Sequence, residues 1–161
     1  MKKGFTLIEL LVVVAIIGIL ATVVVVNLSS SQNKARNARI QTDLEQISNA
    51  AEIILTDAGE FSECSAGLAN KTTAVYLNDT LIANFKEGRT GSCGTQLMTK
   101  APVNPANNTS FFQWSSSATG GKYIIYTPSA DTFTATNKVW YYCKTGKACD
   151  KTAASATAPT F

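Results

Sequence analysis

The stretch that decides the fold is Met1-Lys2-Lys3-Gly4-Phe5-Thr6-Leu7-Ile8-Glu9, with the apolar run that follows it to Val26. Between Phe5 and Val26, Thr6, Glu9, Gly18 and Thr22 interrupt a row of Leu, Ile, Val, Ala and Phe. About 22 residues at roughly 1.5 Å each give a helix of about 33 Å, enough to cross a bilayer core. Some sixteen large apolar side chains supply, as an upper bound, about 5 to 10 kcal/mol of insertion free energy. One intramembrane acid costs roughly 2.5 to 3.5 kcal/mol, less near the edge where Glu9 lies, so insertion wins. The acid then needs a cationic partner, and an acid inside a span is by default a functional one. A secretory signal fits the basic start, but its apolar region runs about 7 to 15 residues and ends at a small-x-small site. This run is longer, and no such boundary precedes Asn27.

The run Lys2-Lys-Gly-Phe-Thr-Leu-Ile-Glu-Leu-Leu-Val-Val13 resembles the start of a type IV prepilin, a pattern shared with type II secretion pseudopilins and competence pilins. The resemblance covers about the first 30 residues. It implies cleavage between Gly4 and Phe5 by a prepilin peptidase, and N-methylation of Phe5 by the same enzyme. It also implies that Glu9 pairs with the new terminal amine, that of Phe5, on a neighbouring subunit. Gly18 matches a position where the family's helix loosens on assembly, whereas Val26 stands where many members carry proline. The physics agrees with the pairing. Cleavage creates an ammonium group at Phe5, and a wrong axial register would leave it and Glu9 buried apart, at several kcal/mol. A pair within one chain is the alternative, since Phe5 and Glu9 are i and i+4.

Composition narrows the function classes. The chain has 161 residues, no histidine, 16% charged residues and a net charge of +3. Without histidine there is no Ser-His-Asp triad and no histidine metal site. No nucleophile elbow, phosphate loop or EF-hand string is present, so no enzyme and no cofactor is expected. Loss of Lys2 and Lys3 with a leader leaves about +1 on the side chains, too little to argue for nucleic acid. Four cysteines, Cys64, Cys93, Cys143 and Cys149, all lie beyond the span. An even number in an exported domain favours two disulfides, with three connectivities open. The preferred pairs are Cys64–Cys93 and Cys143–Cys149, the second closing a short loop that Gly146 lets turn. No Cys-x-x-Cys spacing supports zinc, and no resident metal is expected.

Beyond a polar exit at Asn27–Gln32, Ile40, Leu44, Ile47, Ala51 and Ile54 recur at spacings of 4, 3, 4 and 3, one apolar helical face. Gly59 is a helix stop after Asp57. One helix of about 80 Å from Phe5 to Asp57 is predicted. Thr73–Leu77 reads as a short strand, and Leu81–Phe85 as a strand or a helical turn. Arg89–Gly94 reads as a turn. Phe111–Ser115, Tyr123–Thr127, Phe133–Thr136 and Val139–Cys143 read as an antiparallel meander. The tail, Thr152–Phe161, reads as loose or lightly docked.

The fold class expected is therefore α+β, a pilin-like long helix on a small antiparallel head. Its divisions are a leader at 1–4, an apolar assembly helix at 5–32, the amphipathic half of the same helix at 33–57 and a head at 58–161. Trp114, Trp140, Tyr123, Tyr126, Tyr141 and Tyr142 could stack on DNA bases or sugars, but too few basic residues adjoin them, and sheet packing is the better reading. Asp131 and Asp150 sit in turns, where they cap or, as in some pseudopilins, hold calcium.

The function expected is a structural subunit that polymerises with itself into a type IV pilus-like filament, serving adhesion, motility or DNA uptake. The alternatives are a secretion pseudopilin or a minor competence pilin that binds DNA. As the resemblance implies, its partners are the peptidase/methyltransferase, membrane lipid before assembly, and an inner-membrane platform with a motor ATPase. The chain is expected in the cytoplasmic membrane with its N-terminus inside, then in an extracellular filament.

Overall fold

The computed structural model describes residues 4–61, 63–89, 92–105, 112–118 and 121–161, with backbone alone for 25–27, 63–64, 87–89 and 92. One helix, α1, runs Leu7–Ala58. By contacts the chain forms two compact units, Met1–Ala35 and Arg36–Phe161. The amphipathic half of the helix thus belongs to the same unit as the head.

In the first unit the described apolar side chains of α1 stand exposed. Every large apolar side chain from Phe5 to Val24 is exposed, Leu7 at 87%. That is the window with a mean hydropathy of 3.0, long and apolar enough to cross a membrane. A chain in water does not leave so much apolar surface bare without a partner for it.

The second unit opens with the expected stripe. Ile40, Leu44, Ile47, Ala51 and Ile54 are each no more than 1% exposed. Burying each of the large ones contributes about 1.5 to 3 kcal/mol, an upper bound. The helix ends where predicted. Gly59 takes a φ of +79° and its N–H donates to the Leu55 carbonyl at 2.8 Å, the left-handed cap that only glycine adopts without strain.

Beyond a short 3-10 turn at Glu63–Leu68, the head holds β1 (Val75–Tyr76), α2 (Asp79–Ile82), β2 (Lys86–Arg89), β3 (Ser92–Gln96), β4 (Gln113–Ser116), β5 (Tyr123–Pro128), β6 (Trp140–Lys144) and β7 (Asp150–Lys151). Five strands make an antiparallel sheet in the order β1-β4-β5-β6-β7, and β2 and β3 pair separately. The fold is α+β, a helix leading a small antiparallel head. The ambiguous Leu81–Phe85 resolves as the helical turn α2, capped by the Asn78 side chain, which accepts from the Leu81 N–H at 2.8 Å.

Three expectations change. Phe133–Thr136 is no strand: Thr132 Oγ1 accepts from the Val139 N–H and Ser129 bonds back to both, so the segment folds on itself. Arg89–Gly94 is not merely a turn, since the strands of the β2–β3 hairpin enter it from both sides. Phe111, the expected start of β4, lies outside the described residues.

Alternation places the core. Trp114, Tyr123, Ile125 and Cys143 face the helix; Ile124, Tyr126 and Trp140 form a second cluster on the other sheet face, against Ala158. The tail is therefore docked. Lys138 and Ser155 exchange backbone hydrogen bonds, and Thr152 Oγ1 accepts from the Trp140 N–H.

Asp43 is a costly group in this interface. Its side chain is 16% exposed, its Oδ2 accepts no hydrogen bond among the described residues, and Arg39 Nε lies 3.7 Å away. Burial raises the Asp43 carboxyl above its ordinary range, and Arg39 draws it partly back. The folded head then binds this proton more readily than the unfolded chain does. Its contribution to stability is greatest in acid and falls as pH rises through the raised value. Asp43→Asn should abolish that dependence and raise the melting temperature by about 1 to 4 °C at neutral pH, read by thermal melts at about pH 4 and pH 7. A loss of stability at neutral pH would refute this account.

Candidate functional site: the start of the helix

The candidate site lies at the N-terminus of α1. Thr6 precedes the first helical residue, and Glu9 sits in the first turn. The Thr6 N–H donates to Glu9 Oε2 at 2.8 Å, and the Thr6 hydroxyl donates to the same oxygen at 2.7 Å. In return the Glu9 N–H donates to Thr6 Oγ1 at 3.3 Å. This reciprocal arrangement is a capping box, which satisfies backbone donors that an apolar medium cannot. A carboxylate in the first turn also meets the positive end of the helix dipole.

Thr6 is the residue that sequence reasoning missed. Its signal was present, a Thr-x-x-Glu spacing just ahead of an apolar run, but Glu9 drew attention as a lone charge. Phe5 is 80% exposed beside it, and Gly4 is exposed with open space where a Cβ would stand. The cut expected between them would fall on accessible backbone outside the helix. Gly18 likewise has nothing within 4 Å of a built Cβ, so no packing within the chain demands a glycine there.

Among the described residues, the turn acids considered for calcium do not converge on a shared site. Asp131 Oδ2 accepts from the Asn37 side-chain amide at 2.7 Å, while Asn37 Oδ1 accepts from the Ala130 N–H at 2.8 Å. Asp150 Oδ1 accepts from the Lys151 N–H. Asp150 lies in β7 rather than in a turn, and the two acids are committed to different partners. Among the described residues, no three metal-ligating side chains converge.

The aromatic residues pack. Trp114 and Tyr123 stack at 5.1 Å with an interplanar angle of 6°, Phe61 and Phe85 meet Trp114 edge-on, and Trp140 meets Tyr126 edge-on. Tyr142 carries the Lys144 ammonium 5.5 Å above its ring.

Cys143 and Cys149 are disulfide-bonded, and Gly146 makes the turn between them with a φ of +66°. The Gly146 N–H donates to Glu52 Oε1, which also accepts from the Tyr123 hydroxyl, tying the loop to helix and sheet. Cys93 is in a disulfide as well; the side chain of its expected partner, Cys64, lies outside the described residues.

A bare apolar helix with one capped carboxylate at its start, leading a disulfide-closed α+β head, defines a class of helix-anchored subunits. The comparisons agree. The prokaryotic N-terminal methylation motif matches residues 1–25. The type II secretion system core protein G of Vibrio cholerae is 30% identical over 130 residues, 81% of this chain and 82% of that protein. The type IV major fimbrial protein FimA of Dichelobacter nodosus is 29% identical over 134 residues, 81% of this chain and 85% of that one. The core protein G of Escherichia coli is 36% identical over 88 residues, 54% of this chain, and the match spans only 60% of its length. No solved structure is a significant match. The chain belongs to the family of type IV pilins and type II secretion pseudopilins.

Proposed function

We propose that the chain is the subunit of a type IV pilus-like filament. A prepilin peptidase removes Met1–Gly4 and methylates Phe5. The processed chain waits in the cytoplasmic membrane as a single-pass protein with its N-terminus inside. An inner-membrane platform driven by a motor ATPase then lifts it into a bundle of apolar helices, with the heads outside. The observation that carries this reading is the first half of α1. Its described large apolar side chains from Phe5 to Val24 are all exposed, a surface that like helices or lipid would cover.

The chemistry at the helix start fits the same reading. The new ammonium group at Phe5 would meet Glu9 of the adjacent subunit, and only one axial offset brings the two together. Such a pair selects register more than it adds stability. Cys64–Cys93 would be the second disulfide of the head. The match to a secretion core protein G over most of the chain keeps a second reading in view, a pseudopilin with the same processing and helix packing. The length of the fibres on cells separates the two. Long surface filaments are expected; fibres confined to the envelope would transfer the assignment to secretion.

Processing has its own test. Intact mass of the mature chain should fall by Met1–Gly4 and rise by one methyl group. A retained leader would defeat the processing step.

A further inference from the structure

The head's portion of α1 has two unlike flanks. Along one runs a trough lined by Gln46, Ile53, Leu97, Met98 and Lys100; its two lobes, about 480 and 430 Å³, share Gln46, Met98 and Lys100. From Arg39 to Ile53 it follows the helix for about 21 Å. Ile53, 46% exposed, is the exposed large aliphatic side chain of the head among the described residues. Along the other flank Glu45 and Glu52, two turns apart, border a hollow of about 550 Å³ against the disulfide loop. The ion pair recorded in the chain is Arg39–Asp43, so Lys100 and Glu45 are both exposed with no ion-pair partner among the described residues.

We infer that these flanks are the two halves of one contact between copies of this chain, the trough beside Lys100 in one head receiving the Glu45 edge of the next. This rests on the filament reading above. A helical polymer needs a heterologous contact, two different patches on one subunit that fit each other. Two copies of α1 lying side by side in parallel present opposite flanks to each other. Here each flank carries an exposed charge with no ion-pair partner among the described residues, and the two are opposite, Lys100 on one and Glu45 on the other. Arg39 is paired with Asp43, and Glu52, with Lys147 nearby in the hollow, is bonded to Tyr123 and Gly146. Charge complementarity of this kind selects partner and register. Ile53, Leu97 and Met98 supply an apolar floor, and methionine adapts to an irregular edge.

The test is made in full-length protein in cells that assemble it. The double variant Lys100→Cys/Glu45→Cys should give, in sheared fibres, a ladder of disulfide-linked dimers, trimers and higher forms that neither single variant gives. Lys100→Glu should lower fibre yield about tenfold, because like charges then face each other, and Glu45→Lys in the same chain should restore it to within about twofold. Glu9→Ala run in parallel separates the two ideas. If fibres depend on Glu9 but show no ladder and tolerate Lys100→Glu, this contact is wrong and the filament reading stands. If the unaltered chain forms no fibre, both fall.

Discussion

Cells carrying Glu9→Ala should make normal amounts of membrane-inserted chain and almost no filaments. Removing the carboxylate eases insertion, since an intramembrane acid costs roughly 2.5 to 3.5 kcal/mol. Assembly moves the other way. Each subunit added would bury the Phe5 ammonium of a neighbour without its counter-ion, and breaking a buried pair costs about 3 to 5 kcal/mol. That is a loss of roughly two to three orders of magnitude or more at each addition. The capping box complicates the reading, because Glu9→Ala also strips the Thr6 N–H of its acceptor, worth about 1 kcal/mol. Glu9→Gln separates the effects, since an amide oxygen can still cap but carries no charge. The expected result is that Gln fails nearly as badly as Ala when sheared fibres are weighed against the membrane fraction. Normal fibres from Glu9→Gln would show that the side chain serves the helix end and not the neighbour.

The second large effect is expected in the head. Trp114→Ala should lower its melting temperature by about 10 to 20 °C, read by near-ultraviolet circular dichroism of the full chain in detergent. The ring is fully buried, stacked on Tyr123, met edge-on by Phe61 and Phe85, and its indole N–H donates to the Leu68 carbonyl at 3.0 Å. Truncation of a buried tryptophan costs about 3 to 5 kcal/mol, and the Leu68 carbonyl loses its donor as well. At a few degrees per kcal/mol for a domain of this size, that loss gives the shift stated. Trp114→Phe should recover most of the packing and lose only the hydrogen bond. A melt unchanged by Trp114→Ala would mean that these four rings do not form the core.

What was legible in the sequence was whatever depended on a period or a single special residue. Ile40, Leu44, Ile47, Ala51 and Ile54 announce one helix face because burial demands a repeat close to 3.6. Gly59 and Gly146 announce their turns because a positive φ excludes most other residues. The strands β5 and β6 were readable from their aromatic and β-branched residues. The β2–β3 hairpin was not, since Lys86–Arg89 and Ser92–Gln96 have little apolar content to set a strand pattern. Phe133–Thr136 misled for the opposite reason: its residues favour strands, but the Ala135 N–H turns back to the Thr132 carbonyl, and Ser129 and Thr132 hold the loop ends together at Val139. The Asn37 grip on Asp131 and Ala130 spans more than 90 residues of sequence, and no local pattern reports it. At the helix start, the lone acid was visible and its threonine partner was overlooked.

The outermost strands of the main sheet, β1 and β7, are two residues each. A longer bare margin would offer its unpaired amides and carbonyls to any passing chain, the usual route to amyloid-like stacking. Molecules crowded at an assembly site would meet that hazard at its worst. With so short a rim on the main sheet, the heads have little backbone to zip together, and any contact between them is left to side chains.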